Sequence, residues 1–404
     1  MRFVHVIPSI DSGCGGPVEA LRQIGLLHQG LGHTIEVACA DAPGSPFIRD
    51  MPFPVHALGP AKTSYKYCAK LTDWLRWHGA QFDAVIVHGL WQHPTDAVHS
   101  ALSGRVPYFV YTHGMLDPWF NEKFPLKHIK KTIYWHVRLR RVLDEAAGVI
   151  FTTEEEMERS ISAFFPYQWK GIVAPLGIAE PPSDSAAQIA AMETQFPQLK
   201  DRRFLLFFGR LHPKKGCDLL LRAFSRVLSQ FPDVKLVMAG PGDSAYVESL
   251  RRIAEAEDFA SNVTWTGMIS GHVKWGLLRA ADAFVLPSHQ ENFAIATVEA
   301  MAVGTPVLIS DKVQIWRDVM RSGAGLVDSD SLEGTERMLR RWMSLDEAEK
   351  AKVREAAGAC YRARFTAEQA GFALLSEVMA TLRGSRSKIG APKPPSSGSE
   401  LNVA

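Results

Sequence analysis

The chain has 404 residues, which is enough for two domains of ordinary size that each bury a core. Its 46% hydrophobic and 22% charged residues are typical of a globular protein, and a formal net charge of +2 gives no support to a nucleic-acid partner. The five cysteines are scattered and form no C-x-x-C pair, which argues against a disulfide framework or a zinc site and fits a reducing cytosol.

The first half of the chain predicts a parallel sheet. Short apolar runs alternate with helical patterns up to about residue 180, and no run approaches the ~18 residues of a membrane span. The start, Met1–Pro8, is too short and interrupted for a signal peptide and predicts a first strand. Functional residues should follow the carboxyl ends of these strands. The strand candidates are Phe3–Ile7, Ile35–Ala40, Ala84–Val87, Tyr108–Thr112, Val149–Thr152 and Ile172–Ala174.

A glycine-rich loop at residues 11–17 follows the first strand, and a helical pattern begins near Val18. Glycines such as Gly15 and Gly16 would let the backbone approach a phosphate or a sugar at a helix N-terminus. A dinucleotide fingerprint ending with Glu36 is a weak alternative, because Val18 occupies the third glycine position.

Two further strand ends carry a His-Gly pair, at His88 and at His113. A lone histidine is more often structural than catalytic, and we predict a structural role for His88. Asp117 lies four residues after His113, where either an Asp-Pro turn or an acceptor-side role would explain it.

Residues 123–141 are basic and aromatic. Such a stretch can lie on an anionic bilayer, or its apolar stripe can pack on its own domain, and the sequence favours neither reading. The basic members are Lys123, Lys127, Lys130, Lys131, Arg138, Arg140 and Arg141, and Ile129, Ile133, Tyr134, Trp135, Val137 and Leu139 interleave with them.

The strand pattern stops after Gly177, so we predict a first domain over residues 1–180 and a linker over 181–203. A second domain, 204–365, opens with a buried-strand run at Phe204–Phe208. Arg210 and Lys215 follow that strand and precede a helix, where cations would meet a diphosphate leaving group.

The last part of the chain predicts a helix at 366–383 and a disordered tail at 384–404 rich in Gly, Ser, Pro and Lys. Asp328 and Asp330 match a metal-binding D-x-D, but they lie far in sequence from the other motifs. One carboxylate there is explained more simply as a helix N-cap, and we expect no metal.

The strand-loop-helix at residues 283–306 carries the most informative pattern. The helix should begin near Phe293 with Asn292 as N-cap and end at Gly304. Glu291 precedes the helix and Glu299 lies in its second turn, with the unpaired N–H groups of the first turn between them. This order of acceptor, donors and acceptor suits a sugar nucleotide, which has hydroxyls, a diphosphate and ribose hydroxyls in that order.

These motifs resemble those of the family 4 retaining glycosyltransferases of the GT-B fold. The resemblance rests on the E-x7-E pair of Glu291 and Glu299 and on the G-R…K-G run, and it covers about residues 1–383. The run from Thr112 to Trp119 is similar to a branch that builds bacterial cell-surface polysaccharides. The implied fold is α/β, with two Rossmann-like domains facing across a cleft and a C-terminal helix crossing back to the first domain.

The resemblance also implies roles for residues of the cleft. Glu291 and His113 would hold the donor sugar, Glu299 the ribose, and Arg210 with Lys215 would neutralise the diphosphate; Ala294 departs from the glycine usual in the family. The first domain would bind the acceptor, with Asp117 beside it. The implied donor-binding set is Gly15, Gly16, Arg210, Lys215, Met268 at the base, Glu291, Asn292, Phe293, Ala294, Ile295 and Glu299.

The predicted function is therefore retaining transfer of a hexose from a nucleotide-diphosphate sugar, without cofactor or metal. The acceptor would be a glycan or a polyprenyl-linked acceptor in bacterial exopolysaccharide or lipopolysaccharide synthesis. The protein would act in the cytoplasm, either free or at the inner face of the cytoplasmic membrane. Two alternatives are an epimerase or phosphorylase on the same fold and a silent partner that binds sugar nucleotides.

Overall fold

A computed structural model describes residues 1–11, 16–119 and 125–389. Gly15, Lys123 and the end of the predicted tail lie outside these residues. Two parallel sheets, each covered by helices on both faces, form two α/β domains. This confirms the predicted fold class.

The first sheet has seven parallel strands in the order β3-β2-β1-β4-β5-β6-β7. All six strands predicted for this half are present. The short edge strand β3 was not predicted, because its three half-buried residues give no apolar run. The strands are β1 (Arg2–Ile7), β2 (Thr34–Cys39), β3 (Val55–Ala57), β4 (Ala84–His88), β5 (Tyr108–Tyr111), β6 (Gly148–Phe151) and β7 (Gly171–Val173).

Helices connect these strands and cover both faces of the sheet, so its central strands are buried throughout. A π-helical turn, Trp135–Leu139, joins α4 to α5. The helices are α1 (Gly16–Gly30), α2 (Ala69–His78), α3 (His93–Leu102), α4 (Pro125–Tyr134), α5 (Arg140–Asp144) and α6 (Glu154–Ser160).

The second sheet has six parallel strands in the order β10-β9-β8-β11-β12-β13. Its strands are β8 (Phe204–Phe208), β9 (Lys235–Ala239), β10 (Val263–Gly267), β11 (Ala283–Leu286), β12 (Val307–Ser310) and β13 (Gly325–Asp328). The helices from here to the C-terminus are α7 (Ser185–Gln195), α8 (Cys217–Leu228), α9 (Ser244–Ala256), α10 (Gly271–Ala280), α11 (Ile295–Ala302), α12 (Trp316–Ser322), α13 (Leu332–Ser344), α14 (Glu347–Arg364) and α15 (Ala367–Ile389).

The strand orders locate the ligand crevices. Each sheet reverses its direction of growth beside its first strand, between β1 and β4 in the first domain and between β8 and β11 in the second. Ligands of such sheets bind beyond the carboxyl ends of the strands at this reversal. The loops after β1, β4, β5, β8 and β11 therefore build the cleft.

The segment predicted as a linker, 181–203, contains helix α7, which packs on α10 of the second domain. Its N-cap Asp184 accepts a hydrogen bond from Ala187 N, and buried Gln188 donates to Pro182 O at 2.9 Å. The alanine-rich pattern of this helix has little amphipathic contrast, which is why no helix was predicted for this segment.

The C-terminal helix crosses back to the first domain as predicted. Helix α15 packs on α1, where His28 Nε2 lies 3.0 Å from Gly371 O. The chain first passes from one domain to the other near Ile178. The return crossing is held beside this first one, because Ala367 N donates to Ile178 O at 2.8 Å. The helix continues to Ile389, so the prediction that order ends at Gly384 was wrong; the exposed Gly384 did not terminate the helix.

In the part of the chain that the structure describes, no helix is both long enough and apolar enough to cross a membrane.

Candidate active site

The two domains touch at the loops after β5 and β11. A Cβ added to Gly114 would lie 3.0 Å from the Cβ of Asn292, and Gly114 has a φ of +76°. A side-chain amide atom of Asn292 lies 2.7 Å from Thr152 Oγ1 of the first domain. The His113-Gly114 turn and the Glu291-Asn292 turn therefore face each other directly.

The N-termini of two helices also meet in the cleft. A Cβ added to Gly16, the first residue of α1, would lie 3.2 Å from Ile295 Cδ1 at the start of α11. Both ends present backbone N–H groups that have no partner within their own helix, so an anion between them would find donors from both domains. Glycine at position 16 keeps this gap narrow without a side chain in it.

Helix α11 begins at Ile295, and its N-cap is Ala294 rather than Asn292. The prediction was wrong because Ala294 takes a left-handed conformation, φ 54° and ψ 64°, that places the helix start two residues later. A glycine adopts this conformation without strain, which accounts for the glycine that is usual at this position in the family. Alanine adopts it at a cost of about 1 kcal/mol. Asn292 is left to bridge the domains.

Phe293, between the bridging residue and the N-cap, is 3% exposed and packs edge-on against Phe365, with ring centroids 5.7 Å apart. Its side chain anchors the loop, so any contact of this residue with a ligand would be made by its backbone.

Glu291 and Lys215 form an ion pair at the second-domain wall of the cleft. Burial alone would raise the pKa of Glu291, but Lys215, Lys214 and Arg210 outweigh burial and lower it. Lys214, which the sequence analysis missed, donates to Gln290 Oε1 at 3.0 Å, and burial lowers its pKa. Three cations therefore surround one carboxylate, which leaves the wall with an excess of positive charge.

Glu299 pairs with Lys274 Nζ at 2.9 Å, and only 15% of its side chain is exposed. Burial raises the pKa of Glu299, and Lys274 offsets only part of that rise. Lys274 is a further residue that the sequence did not single out, because α10 carries no motif that links it to Glu299.

On the first-domain wall, His113 is joined to two more histidines. His113 Nε2 lies 2.9 Å from His88 Nδ1, and His88 Nε2 lies 2.9 Å from His5 Nδ1. The three residues belong to the neighbouring strands β1 and β4 and to the turn after β5. The His113 ring stacks on Tyr111 with centroids 4.5 Å apart, and its backbone has a φ of +49°.

Asp117 is buried, with 4% exposure, and its carboxylate has several partners. Arg159 donates to both oxygens at 3.0 and 3.1 Å, and Gln314 of the second domain donates to Oδ2 at 3.1 Å. Trp119 N donates to Oδ1 at 2.9 Å. The structure thus gives Asp117 a domain-bridging role, and its predicted contact with an acceptor stays a prediction.

Two other candidates lie at the second-domain surface. Met268 is 74% exposed just after Gly267, beside the loops that follow β9 and β10. Asp328 pairs with Arg337 at 2.6 Å and Asp330 with His289 Nδ1 at 2.9 Å. The N-cap of α13 is Ser331, so the predicted capping role of an aspartate was wrong; the hydroxyl sits where the backbone turns into the helix.

The described residues contain no group of three or more His, Cys, Asp or Glu side chains placed to hold a metal ion.

The basic helix α4 and the π-helical turn after it have two different faces. The inner face is half-buried and polar in α4, at His128, Lys131 and Thr132, and continues into Trp135 and Leu139, which are at most 1% exposed. The other, here called the exposed stripe, points to solvent and consists of Leu126, Ile129, Ile133 and Val137, which are 57–78% exposed.

A basic cavity of about 380 Å³ lies between α4 and the loop after β8. None of its described lining residues is acidic. It is lined by Trp119, Lys127, His128, Lys131, Arg210, His212 and Lys214. Burial, together with the neighbouring Lys127, lowers the pKa of Lys131, as expected where cations are held close together.

Comparison with known proteins agrees with this architecture. Residues 15–177 match the family described as "Glycosyl transferase 4-like domain", and residues 190–358 match "Glycosyl transferases group 1". Together the two matches cover most of the chain, one for each domain. The chain therefore belongs to the glycosyltransferases of the GT-B fold, enzymes that transfer a sugar from an activated donor to an acceptor.

Particular relatives give a finer comparison. A D-inositol 3-phosphate glycosyltransferase of Segniliparus rotundus is 28% identical over 313 residues, which cover 74% of this chain and 68% of that one. A phosphatidyl-myo-inositol mannosyltransferase of Mycolicibacterium smegmatis is 37% identical over 139 residues, only about a third of either chain. Among solved structures, Anabaena Alr3699/HepE in complex with UDP and glucose shares the fold, with a TM-score of 0.73 at 17% identity over 94% of this chain and 100% of that one.

Proposed function

We propose that this glycosyltransferase moves a hexose from a nucleoside-diphosphate sugar to a phosphate-bearing acceptor, with retention at the anomeric carbon. The observation that carries the proposal is the meeting of the His113-Gly114 turn with the Glu291-Asn292 turn, beside the Lys215–Glu291 pair. Glu291 and His113 hold the sugar hydroxyls there, and Glu299 holds the ribose. Anabaena Alr3699/HepE, which shares this fold and was solved in complex with UDP and glucose, supports this class of donor.

The charged wall of the second domain suits a departing diphosphate. As the bond from the anomeric carbon to the diphosphate oxygen breaks, its electron pair goes to that oxygen. Arg210, Lys215 and the N-terminus of α11 stabilise the resulting charge, each contact contributing up to roughly 3 kcal/mol in the transition state. The acceptor oxygen bonds to the same face of the sugar, and its proton passes to the leaving diphosphate. No metal ion is required by this arrangement.

Donor binding is tested by thermal shift with a panel of nucleoside diphosphates and their sugars in EDTA. We expect one nucleotide to stabilise the protein selectively and Glu299→Ala to abolish that shift. Glu255→Ala, an exposed helix position outside the cleft, is the matched control and should keep it. A protein that no nucleotide stabilises would contradict the donor site, and a shift that appears only without EDTA would contradict metal independence.

The basic cavity supports an anionic acceptor such as a polyprenyl-diphosphate-linked sugar. Its lysines and arginine line the gap between α4 and the loop after β8, next to the wall proposed to hold the donor diphosphate. Two relatives are named for phosphorylated inositol compounds. Transfer to a polyprenyl-diphosphate-linked sugar should fall about tenfold in Lys131→Ala, with donor affinity unchanged, because a charge-assisted contact is lost. Equal transfer to the same glycan without phosphate would contradict this acceptor class.

The exposed stripe supports contact of α4 with an anionic membrane. Apolar side chains at 126, 129, 133 and 137 follow helical spacing, and Lys130 lies next to them on the helix surface. Such a helix lies in the bilayer interface with its apolar face down and its lysines near lipid phosphates. The opposite side of α4 lines the basic cavity, so the membrane would present a lipid-linked acceptor to the cleft.

Vesicle sedimentation tests this contact. We expect the full chain to bind vesicles that contain phosphatidylglycerol and to bind pure phosphatidylcholine weakly, and Ile129→Gln/Ile133→Gln to lose most binding. Met320→Gln removes a similarly exposed apolar side chain from α12 and is the control. Unchanged sedimentation of the double variant would show that another surface, or none, meets the membrane.

A further inference from the structure

The chain of three histidines ends in the interior of the first domain. His5 is fully buried and His88 is 1% exposed, whereas His113 is half-buried at the cleft. Burial lowers the pKa of His5 to about 3, lowers that of His113 to about 3, and holds that of His88 well below its usual value. All three rings are therefore neutral at physiological pH, and each carries one N–H group and one nitrogen lone pair.

Two hydrogen bonds join three neutral rings, so they use two of the three N–H groups. The third must lie at one end of the chain, on His5 Nε2 or on His113 Nδ1. His5 Nε2 is buried and has no hydrogen-bond partner among the described residues. An orphaned N–H in an apolar interior is rare and costly, and an orphaned lone pair is the more common exception.

We infer that the histidine chain has one direction: His5 Nδ1–H donates to His88 Nε2, and His88 Nδ1–H donates to His113 Nε2. His113 therefore carries its proton on Nδ1 and offers a neutral N–H donor at the cleft. His5 and His88 are positioning residues that set this tautomer, and the inference rests on the proposed role of His113 at the donor sugar. The three histidines do not relay protons, because no described residue lies within hydrogen-bonding distance of His5 Nε2 to continue the relay.

This direction has a chemical consequence for the sugar. A fixed N–H donor binds a hydroxyl oxygen through its lone pair, whereas the other tautomer would instead accept the hydroxyl hydrogen. An uncharged ring also adds no positive charge near the anomeric carbon, where positive charge develops as the diphosphate leaves. The three histidines thus keep His113 a donor without making it a cation.

Nitrogen-15 NMR of the histidine-labelled full chain tests the inference, because the two ring nitrogens of each tautomer have distinct shifts. We expect the wild-type His113 at pH 7 to be the Nδ1–H tautomer alone. His88→Leu should give a mixture, and kcat should fall about tenfold with nucleotide affinity unchanged, since one hydrogen bond that orients the ring is lost. His88→Asn, whose amide nitrogen matches the position of Nδ1, should restore the single tautomer and most of kcat.

A proton found on His113 Nε2 in the wild type would overturn the inference, and so would an unchanged His113 tautomer in His88→Leu. If His88→Leu fails to fold, the wild-type spectrum alone still shows which nitrogen of His113 carries the proton and so tests the inference. Failure of the proposed function is distinguishable, because it would appear as absent nucleotide binding in the wild type while the tautomer of His113 remained measurable.

Discussion

The two walls of the cleft are built from different chemistry. The wall of the second domain consists of ion pairs, Lys215 with Glu291 and Lys274 with Glu299, and has cations in excess around Glu291. The wall of the first domain consists of the neutral rings of His5, His88 and His113. Hydrogen bonds join these rings, and burial lowers their pKa values so that they carry no charge.

This difference suggests a separate role for each wall in the proposed sugar transfer. In the proposed mechanism a departing diphosphate needs compensating charge, which Arg210 and Lys215 of the second-domain wall would supply. The sugar ring carries no formal charge before reaction and needs oriented donors and acceptors, which the first-domain wall supplies at fixed positions. We therefore expect second-domain variants to reduce turnover strongly, and first-domain variants to change geometry or stability with smaller effects on turnover.

The largest effect should follow the loss of a cation from the charged wall. Lys215→Ala removes the cation that the proposed mechanism places next to the leaving diphosphate, and turnover should fall about a hundredfold or more. Steady-state kinetics with the donor found by thermal shift measures this. Lys352→Ala, an exposed lysine of α14, is the control. Turnover within a few-fold of wild type would remove Lys215 from the mechanism.

A stability effect should come next, at the residue that joins the walls. Asp117→Ala leaves Arg159 and Gln314 without their shared carboxylate and should lower the free energy of unfolding by about 2 kcal/mol. Asp73→Ala breaks an exposed pair with Arg76 and should cost less than about 0.5 kcal/mol. Urea unfolding compares the two. Normal stability with a raised acceptor KM would instead assign Asp117 to the acceptor.

The neutral wall should make stability depend on pH. The folded pKa of His5, about 3, lies below its unfolded value of about 6.5, so the unfolded state binds more protons and stability falls as pH drops below 6.5. At pH 5 this loss from His5 is roughly 2 kcal/mol relative to pH 8. Besides His88, the titratable His28 also lies near His5, and burial lowers the pKa of His28 too.

Urea unfolding at pH 8 and pH 5 measures this effect. His5→Leu should lose roughly 2 kcal/mol less than the wild type over this range, because it has no proton to take up on unfolding. The quantity to compare is the change in the free energy of unfolding between pH 8 and pH 5 in each protein. The effect of the substitution on packing is the same at both pH values and cancels in this change. Parallel losses in both proteins would show that His5 is protonated in the folded state.

The smallest effect should come from the contact between the walls. Gly114→Ala brings a methyl group against Asn292 and should push the turns apart, lowering kcat by about tenfold through misplacement of His113. Gly104→Ala has a similar positive φ of +70° but nothing within 4 Å, so it reproduces the backbone strain without the contact. Equal effects of both substitutions would mean that strain alone is responsible.

Local patterns predicted the sheets well, because buried parallel strands are continuous apolar runs such as Phe204–Phe208. The order of Glu291, a helix N-terminus and Glu299 was also visible, since all three belong to one strand-loop-helix unit. The N-cap was misplaced because Ala294 adopts a left-handed conformation, which an alanine in a sequence does not signal.

Contacts between distant parts of the chain were beyond sequence analysis. His5 reaches His88 only through the parallel register of β1 and β4, in which His5 is opposite Ile86. A single histidine within an apolar strand gives no hint of this. The contact between Asp117 and Gln314 likewise joins two domains that are far apart in sequence. The Asp-Pro turn alone therefore could not predict the bridging contacts of Asp117.

The crossing of α15 also determines the order in which the protein can be completed during synthesis. A Cβ on Gly371 would lie 2.0 Å from Leu27, so the two helices touch with no space for a side chain, and α1 lacks this cover until residue 371 has left the ribosome. The helices and strands of the second domain end at Arg364, so all of them have been synthesised before Gly371 emerges. The domain made first on the ribosome is therefore the one finished last.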